Sequence, residues 1–328
     1  MANIDSKELS VKDFMQSLMS GVLSDDIIES YVLALNEKGV TAENIFDAAT
    51  VMRQFSKQVV IQDKTHLVDT CGTGGDGIQT FNVSTLSAIV AASAGVKVAK
   101  HGGRSVSSKC GSADVLEALG VNVNLTADKV ASLVNEIGIA FMFAPNFHPA
   151  MRYAAPVRKK LGIRTIFNVL GPLANPALAT RQVLGVYDKS LTQTMAEVLS
   201  KLGSEHVMVV HGEDGMDEIS ISSPTTVTEL KNKTITTYTI KPADFGLDIA
   251  DLKTIQVENA EASKAMMLDV LNGSQGPHRN ITILNAGAAI YISGISSTLK
   301  EGIEKAASVI DQGLALKKLE ALKVASHG

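Results

Sequence analysis

Residues 68–77 read VDTCGTGGDG and residues 99–112 read AKHGGRSVSSKCGS, and between them Thr85 to Ala94 forms a run of small and apolar residues. Each glycine-rich segment follows a short apolar stretch, and the run between them has a helical pattern. This order predicts a βαβ unit with both glycine-rich loops at one edge of a parallel pair of strands. Such loops expose backbone N–H groups, and anions bind there.

The charge pattern of this stretch agrees with an anion site. Between Gly77 and Ala113 there is no Asp or Glu, whereas cations and hydroxyls are frequent. The cations are Lys97, Lys100, Arg104 and Lys109, with His101 beside them, and the hydroxyls belong to Thr80, Ser84, Thr85, Ser105, Ser107, Ser108 and Ser112. Bare N–H groups, cations and hydroxyls together predict a phosphate site.

Two common phosphate sites fit less well. Gly72, Gly74 and Gly77 match G-x-G-x-x-G, but a dinucleotide fold also needs an acid about 20 positions on to hold the ribose. The first acid after the loop is Asp114. A P-loop needs G-x-x-x-x-G-K-[ST], and that string is absent. The plainest alternative is that the glycines only turn the chain after a strand.

Composition limits the classes of protein that fit. A chain of 328 residues with 45% hydrophobic content can form one large core and a smaller accessory domain. Its net charge of -4 gives no reason to expect nucleic acid or an anionic membrane as partner. The first residues lack the apolar stretch of a secretory signal, and the apolar runs are too short to span a bilayer. Cys71 and Cys110 form no C-x-x-C pair, so neither disulfides nor zinc are indicated, and we expect a cytoplasmic location.

The first 65 residues have helical patterns. Ser24 is predicted to cap a helix over Asp25 to Lys38, and Thr41 to cap one over Ala42 to Ser56. An apolar stripe along the first of these predicts packing against a partner element or dimer formation. We therefore expect a helical domain over residues 1–65, which helices from about 150–180 could join, and a homodimer formed through it.

From His66 onward, apolar runs alternate with helical stretches, which predicts an α/β domain over residues 66–328. Its central, mostly parallel sheet should be flanked by helices, with ligands at the carboxyl ends of the strands. Residues 224–260 predict a hairpin around Asn232, and a helix should follow over Ala260 to Leu271. The predicted strands are Leu67–Val68, Val96–Ala99, Ile139–Phe143, Val183–Val186, Val207–Val210 and Ile281–Leu284.

A cationic segment spans residues 144–176. Arg152, Arg158, Lys159, Lys160 and Arg164 lie in it, and no acid occurs from Ala140 to Tyr187. Such a run is usually a solvated helix face. Here it interrupts an apolar, proline-punctuated stretch after a strand, which favours a pocket wall with a carboxylate-binding arginine. The sequence favours a structural role for His148 over that of a general base.

Two smaller features complete the predicted site. Asp217 and Glu218 follow a strand and a glycine turn and should begin a second extended segment. An Asp-Glu pair is usually a solvated loop end, but Mg²⁺ also prefers a few carboxylates plus substrate phosphates. Ser112 precedes a helix over Ala113 to Leu119, where it could serve as N-cap or contact the anion.

Several motifs occur in an order that resembles the anthranilate phosphoribosyltransferase family. They are DTCGTGGDG at 69–77, NVST at 82–85, KHGGRSVSS at 100–108 and GSADVLEALG at 111–120. The resemblance implies that anthranilate attacks C1 of 5-phosphoribosyl diphosphate (PRPP) and releases diphosphate, in tryptophan synthesis. It also implies two Mg²⁺ ions per monomer and catalysis by alignment and electrostatics, without a dedicated acid or base.

The resemblance assigns roles to individual residues. Ser84, Asp217 and Glu218 match the metal positions. Gly72, Gly103 and Arg158 match the anthranilate contacts. The positions that match PRPP contacts are Gly72, Gly75, Asp76, Thr80, Asn82, Val83, Ser84, Thr85, Lys100, His101, Gly102, Gly103, Arg104, Ser105, Val106, Ser107, Ser108 and Ser112.

One position departs from the family pattern. The family commonly has Asn after Lys-His-Gly, whereas this chain has Gly103. Without a side-chain amide, residue 103 can contribute only its backbone. Two other functions remain open on sequence grounds: a nucleoside phosphorylase of the same fold, which needs no metal pair, and a non-catalytic binder of a phosphoribosyl ligand.

Overall fold

A computed structural model, which describes residues 9–104 and 110–328, has a seven-stranded sheet in the order β3-β2-β1-β4-β5-β6-β7. Strands β1 to β5 are mutually parallel, and β6 and β7 continue the sheet antiparallel. The predicted mostly parallel sheet is thus confirmed. The strands are β1 Leu67–Gly72, β2 Lys97–Gly102, β3 Ile139–Phe143, β4 Arg181–Gly185, β5 His206–Gly212, β6 Thr225–Lys231 and β7 Thr234–Ile240.

Helices cover both faces of the sheet and form the N-terminal segment. The α-helices are α1 Val11–Met19, α2 Asp25–Lys38, α3 Ala42–Gln54, α4 Val83–Ser93, α5 Ser112–Ala118, α6 Ala127–Ile137, α7 Ala144–Phe147, α8 Ala155–Leu161, α9 Phe167–Leu170, α10 Leu191–Lys201, α11 Ala260–Leu271, α12 Pro277–Ser293, α13 Leu299–Asp311 and α14 Leu314–Ala325. Short 3₁₀ helices run over Pro149–Tyr153, Gly171–Leu173, Pro242–Phe245 and Leu252–Ile255. Along the described ranges, none of the helices has the length and apolar character needed to cross a membrane.

The N-terminal helices follow their predicted signals. Helix α2 has the predicted bounds, but the side chain of Ser24 makes no capping hydrogen bond. At the start of α3 the hydroxyl of Thr41 accepts from the N–H of Asn44 at 3.2 Å, and Asn44 Oδ1 accepts in return from the N–H of Thr41 at 3.1 Å. This reciprocal cap fixes where α3 begins. The helix ends at Gln54, two residues before the predicted Ser56.

Successive strand residues point to opposite faces, so apolar residues pack against both faces of the sheet. On one face, Val68, Val98 and Val183 pack with α4, α12, α13 and α14. On the other, Leu184 and Val207 join a core that includes α10, the helices α1 to α3 and the segment 154–174. The N-terminal helices and part of the cationic segment therefore share a core that continues onto the sheet.

The predicted hairpin is confirmed as β6 and β7, paired residue for residue from Thr225–Ile240 to Lys231–Thr234. Asn232 and Lys233 connect them with φ values of 51° and 63°. Two consecutive residues of positive φ are typical of a type I′ turn, whose twist matches that of the strands it joins.

Two predictions were wrong. Ile281–Leu284 was expected to be a strand, but it belongs to the buried helix α12. A short apolar run fits either structure, and here Pro277 at the helix start and the small residues that follow extend it into a helix. Asp217 and Glu218 were expected to begin an extended segment, but residues 213–224 form an irregular loop and the next strand starts at Thr225.

Candidate active site

The two glycine-rich loops lie side by side, as predicted. The first glycine loop, residues 73–82, follows β1, and the second, residues 103–111, follows its parallel neighbour β2. Residues 105–109 lie outside the described residues, so the predicted contacts Ser105, Val106, Ser107 and Ser108 have no structural description. A third loop, the carboxylate loop of residues 213–224, follows β5 at the same edge.

Three glycines of the first glycine loop have backbone conformations that other residues rarely adopt. Gly74, Gly75 and Gly77 have φ values of 64°, 79° and 76°. Glycine adopts this left-handed region without a steric penalty, and the loop can therefore turn tightly before α4 begins. The loop thus presents backbone N–H groups next to the N-terminus of a helix, which favours anions.

Asn82 joins the two glycine loops at the start of α4. Its side-chain Nδ2 donates to the carbonyl of Cys110 at 3.2 Å, and its Oδ1 accepts from Ser263 at 2.8 Å. Thr85, on the first turn of α4, donates its hydroxyl to Ser112 Oγ at 3.0 Å. Ser112 is the first residue of α5 and Gly111 is its N-cap, so the alternative of Ser112 as N-cap was wrong.

The carboxylate loop brings its acids onto the first glycine loop. Asp217 Oδ2 accepts from the N–H of Gly74 at 2.8 Å, and Glu218 Oε1 accepts from the N–H of Ser84 at 3.1 Å. The backbone at Asp217 passes so close to β4 that a Cβ on Gly185 would lie 1.5 Å from the carbonyl oxygen of Asp217. The carboxylate loop can therefore pack against the end of β4 only because residue 185 is a glycine.

Burial makes the negative charge of these acids costly. It raises the pKa of Asp217 to about 7, and the neighbouring charge of Asp76 adds to the effect. It raises the pKa of Glu218 to about 8, with a smaller contribution from Asp217. Burial also raises the pKa of Asp76, whose Oδ1 accepts from the N–H of Ile78 at 3.1 Å. A cation beside these carboxylates would stabilise their ionised forms.

The donor set fits Mg²⁺ shared with a ligand. Among the described residues, no three His, Cys, Asp or Glu side chains converge as a complete metal cage. Mg²⁺ commonly takes one or two protein carboxylates and completes its shell with water and substrate phosphates. Asp217 and Glu218, with the hydroxyl of Ser84 beside them, match this pattern.

Lys100 points inward among the same groups. Its ammonium donates to Ser84 Oγ at 3.2 Å and to the carbonyl of Thr70, and only 3% of the residue is exposed. Burial lowers the pKa of Lys100, and the nearby carboxylates of Asp69 and Glu218 oppose this shift. The side chain therefore lies between the end of β1 and the carboxylate loop.

A buried pair that the sequence interpretation missed supports the second glycine loop. Asp69 Oδ1 accepts from the N–H of His101 at 3.1 Å, and Asp69 Oδ2 accepts from Asn175 Nδ2 at 2.7 Å. His101 lies edge-on to His148, with ring centroids 5.0 Å apart. Burial lowers the pKa of His101 to about 3 and that of His148 to about 4. Both imidazoles are therefore neutral at physiological pH.

The remaining predicted residues of the two loops have varied surroundings. Arg104 forms ion pairs with Asp114 at 2.9 Å and Glu117 at 2.6 Å, so its guanidinium is engaged with α5. Among the described residues, a Cβ on Gly103 would meet no atom within 4 Å; the family commonly has Asn at this position. Val83 is buried, and Thr80 forms an isolated β-bridge with Gln256.

The cationic segment contacts the first glycine loop and the end of β2. Arg164, for which no role was predicted, donates to the carbonyl of Gly75 and stacks 4.0 Å from the ring centroid of Tyr187. The carbonyl of Gly171 lies 3.3 Å from His101 Nδ1. Arg158 is half-buried on α8 with its guanidinium 5.8 Å from the ring centroid of Phe167. No ion pair to Arg158 occurs among the residues with described positions, so its charge is available to a ligand.

Comparisons with known proteins agree with this geometry. The family described as "Glycosyl transferase family, a/b domain" matches residues 64–316. Anthranilate phosphoribosyltransferase of Methylobacillus flagellatus is 56% identical over 315 residues, which cover 96% of this chain and 92% of the relative. The crystal structure of anthranilate phosphoribosyltransferase from Thermus thermophilus is 39% identical with a TM-score of 0.92, and the match covers 99% of this chain and 96% of that one.

Two structures of the Saccharomyces cerevisiae enzyme of the same name are also similar. One is a complex with PRPP and Mg, 31% identical with a TM-score of 0.89 over 98% of this chain and 94% of that one. The other is a complex with 4-fluoroanthranilate, 30% identical with a TM-score of 0.87 over 99% of this chain and 93% of that one.

The fold, the loops at the carboxyl edge of the sheet and these matches define an enzyme of the phosphoribosyltransferase class. The resemblance inferred from the motifs is thus confirmed over nearly the whole chain. The chain belongs to the anthranilate phosphoribosyltransferase family.

Proposed function

We propose that this protein transfers the 5-phosphoribosyl group from PRPP to the amine of anthranilate and releases diphosphate, a step of tryptophan biosynthesis. The observation that carries the proposal is the contact of Asp217 and Glu218 with the N–H groups of Gly74 and Ser84. Two partly buried acids suited to a divalent cation thus lie against an anion-binding loop. A phosphorylated donor that binds as a magnesium complex requires this combination.

The reaction needs little acid-base chemistry from the chain. The aromatic amine of anthranilate is neutral at physiological pH, so its lone pair can attack C1 of the ribose directly. The bond from C1 to the diphosphate oxygen breaks, the diphosphate leaves with the electron pair, and the amine then loses a proton to the solvent. Alignment of the two substrates and stabilisation of the positive charge on the ribose are the tasks left to the protein.

The donor is assigned to the two glycine loops and the start of α4. Backbone N–H groups of the first loop and the first turn of α4 would hold phosphate oxygens, and the hydroxyls nearby would complete the contacts. The assigned residues are Gly72, Gly75, Asp76, Thr80, Asn82, Val83, Ser84, Thr85, Lys100, His101, Gly102, Gly103, Arg104, Ser105, Val106, Ser107, Ser108 and Ser112. Arg104 would have to exchange its ion pairs with α5 for a phosphate contact.

Ser84, Asp217 and Glu218 would hold Mg²⁺, and we propose two ions per monomer. When bound, Mg²⁺ neutralises charge on the diphosphate and makes it a better leaving group. The raised pKa values of Asp217 and Glu218, about 7 and about 8, support the assignment because a nearby cation would stabilise the ionised carboxylates. Cation binding would require their deprotonation.

Gly72, Gly103 and Arg158 are assigned to the acceptor. Arg158 would pair with the carboxylate of anthranilate, because a guanidinium binds a carboxylate with two parallel hydrogen bonds. Its half-buried position strengthens such a pair relative to one in water. Residue 103 would contribute only backbone contacts.

We also propose the domain division 1–65 and 66–328, with the helices of residues 150–180 packed on the first domain, and a homodimer in the cytoplasm. The core that α1 to α3 share with residues 154–174 supports the packing of that segment on the first domain. Val22, Leu33 and Phe55 are exposed apolar side chains of the helical domain and would be covered in a dimer.

The test is to incubate the protein with anthranilate, PRPP and Mg²⁺ and to follow anthranilate fluorescence. Consumption that stops on addition of a chelator is expected. Phosphate-dependent release of base from a nucleoside, unaffected by chelator, would instead indicate a nucleoside phosphorylase. Calorimetric binding of PRPP without any turnover would indicate a non-catalytic binder, and either result would overturn the proposal.

A further inference from the structure

Asn285 is a buried amide in the middle of α12, with 2% of the residue exposed. Asparagine is a poor residue for a helix interior, because its side chain competes for backbone hydrogen bonds. A buried amide without partners would also cost free energy. Its presence at this depth therefore calls for specific partners.

Those partners belong mainly to the carboxylate loop. Asn285 Oδ1 accepts from the N–H of Ile219 at 2.9 Å, and Nδ2 donates to the carbonyl of Ile219 at 3.0 Å. The second proton of Nδ2 is donated to the carbonyl of Ile281, one turn earlier in α12, at 2.9 Å. Both donors and the acceptor of the side chain are thus used, and the amide holds Ile219 from two sides.

Ile219 directly follows Glu218 in the chain, so its contact with Asn285 also affects Glu218. The N–H of Ile219 belongs to the peptide unit that it shares with Glu218, so Asn285 fixes the orientation of the Glu218 backbone. The side-chain end of Glu218 is held separately by the N–H of Ser84. Glu218, Ser84 and Asn285 also line one narrow crevice beneath the end of β1. Glu218 is therefore fixed at its backbone from α12 and at its carboxylate from α4.

We propose that Asn285 is a positioning residue, which holds Glu218 in the orientation that binds the divalent cation. The inference rests on the proposed function, because it assumes that Glu218 binds the cation together with PRPP. Without Asn285 the carboxylate loop would lose its side-chain hydrogen bonds to α12, the only ones between these two elements within the described residues. Partners of a metal-binding residue typically change metal affinity by about 10- to 100-fold when they are removed.

The test compares Asn285→Ser with Thr282→Val. The serine hydroxyl can still bond to the carbonyl of Ile281 within the helix but cannot reach Ile219. Thr282 is equally buried on α12, and its hydroxyl donates within the helix to the carbonyl of His278 at 2.7 Å. The threonine variant therefore controls for loss of a buried polar group. PRPP is titrated calorimetrically into each folded protein at a series of Mg²⁺ concentrations.

We expect Asn285→Ser to need about 10-fold more Mg²⁺ than the unmodified protein for half-maximal PRPP affinity. Thr282→Val should retain the unmodified requirement. If both variants shift equally, or Asn285→Ser does not shift, the positioning role is overturned while the proposed function stands. If the unmodified protein does not bind PRPP in the presence of Mg²⁺, the proposed function fails and the inference fails with it. Asn285→Leu, which keeps the branched shape of the side chain without its polar groups, replaces the serine variant if that one does not fold.

Discussion

The main-chain N–H of Gly74 donates to the carboxylate of Asp217 at 2.8 Å across 143 residues of sequence. This hydrogen bond ties the first glycine loop to the carboxylate loop. An N–H group of the predicted anion site is therefore satisfied by an acid of the chain itself. The two loops cannot be displaced independently, and a substitution that moves one loop should also move the other.

Gly185→Ala is expected to lower both stability and activity. The added Cβ would lie 1.5 Å from the carbonyl oxygen of Asp217, a backbone atom that cannot rotate away. Overpacking of this kind typically costs about 1–3 kcal/mol of unfolding free energy. Urea unfolding and the rate of anthranilate consumption measure the two effects.

Gly72→Ala introduces a milder clash with Asp217 than Gly185→Ala does, so we compare the two variants. Here the Cβ would lie 2.4 Å from Asp217 Oδ2, the far end of a side chain that can rotate. We therefore expect activity to fall while the unfolding free energy stays nearer that of the unmodified protein. Equal losses of stability in the two variants would show that the approach of the Asp217 backbone to β4 is not the critical contact.

Asp217→Asn combined with Glu218→Gln should remove the metal-dependent rate and leave the fold intact by circular dichroism. Loss of such oriented charge typically lowers the catalytic rate by roughly 100-fold or more. Glu213→Gln is the matched control, because Glu213 is an exposed acid of the same loop and forms an ion pair with Lys189 at 3.9 Å, away from the first glycine loop. Activity of the double variant at the level of the control would exclude the metal assignment.

The sequence predicted the parts of this molecule that depend on local chemistry. The bounds of α2 follow from first-turn acids and Gly39, and the turn of the hairpin from Asn232, because these signals act over a few residues. The glycine loops and the acids Asp217 and Glu218 were also recognisable. Ile281–Leu284 was misassigned because a run of four residues, three of them apolar, has no decisive period.

The missed residues act through long-range partners. Asn175 bonds to Asp69 across 106 residues, and Asn285 bonds to Ile219 across 66. In sequence, each is an ordinary asparagine near apolar residues, and no spacing rule links it to its partner. The acid-free cationic segment did carry a signal for Arg164, but its contact with Gly75 depends on how the segment folds back over the sheet.

Arg158→Ala should raise KM for anthranilate by about 10- to 100-fold and change KM for PRPP far less. A hydrogen-bonded charge pair is worth about 1.5–3 kcal/mol, and only the acceptor carries the carboxylate that Arg158 would bind. Lys159→Ala is the control, since Lys159 is the exposed neighbour on α8. Steady-state kinetics with each substrate varied in turn make the measurement. Equal increases in both KM values would refute the acceptor assignment.

His148 should make the protein less stable as the pH falls. Burial lowers its pKa to about 4, whereas in the unfolded chain it is about 6.5, so between these values only the unfolded state binds the proton. The contribution of His148 to the unfolding free energy is fully present above pH 6.5. Below that pH it declines by up to about 1.4 kcal/mol per pH unit. Carboxylates also change the unfolding free energy with pH. We therefore compare His148→Gln with the unmodified protein by urea unfolding at pH 7.5 and 5, because the contribution of the carboxylates cancels in the difference. The variant should lose less stability between these pH values, by up to about 2 kcal/mol. Identical pH dependence in the two proteins would contradict a buried, neutral His148.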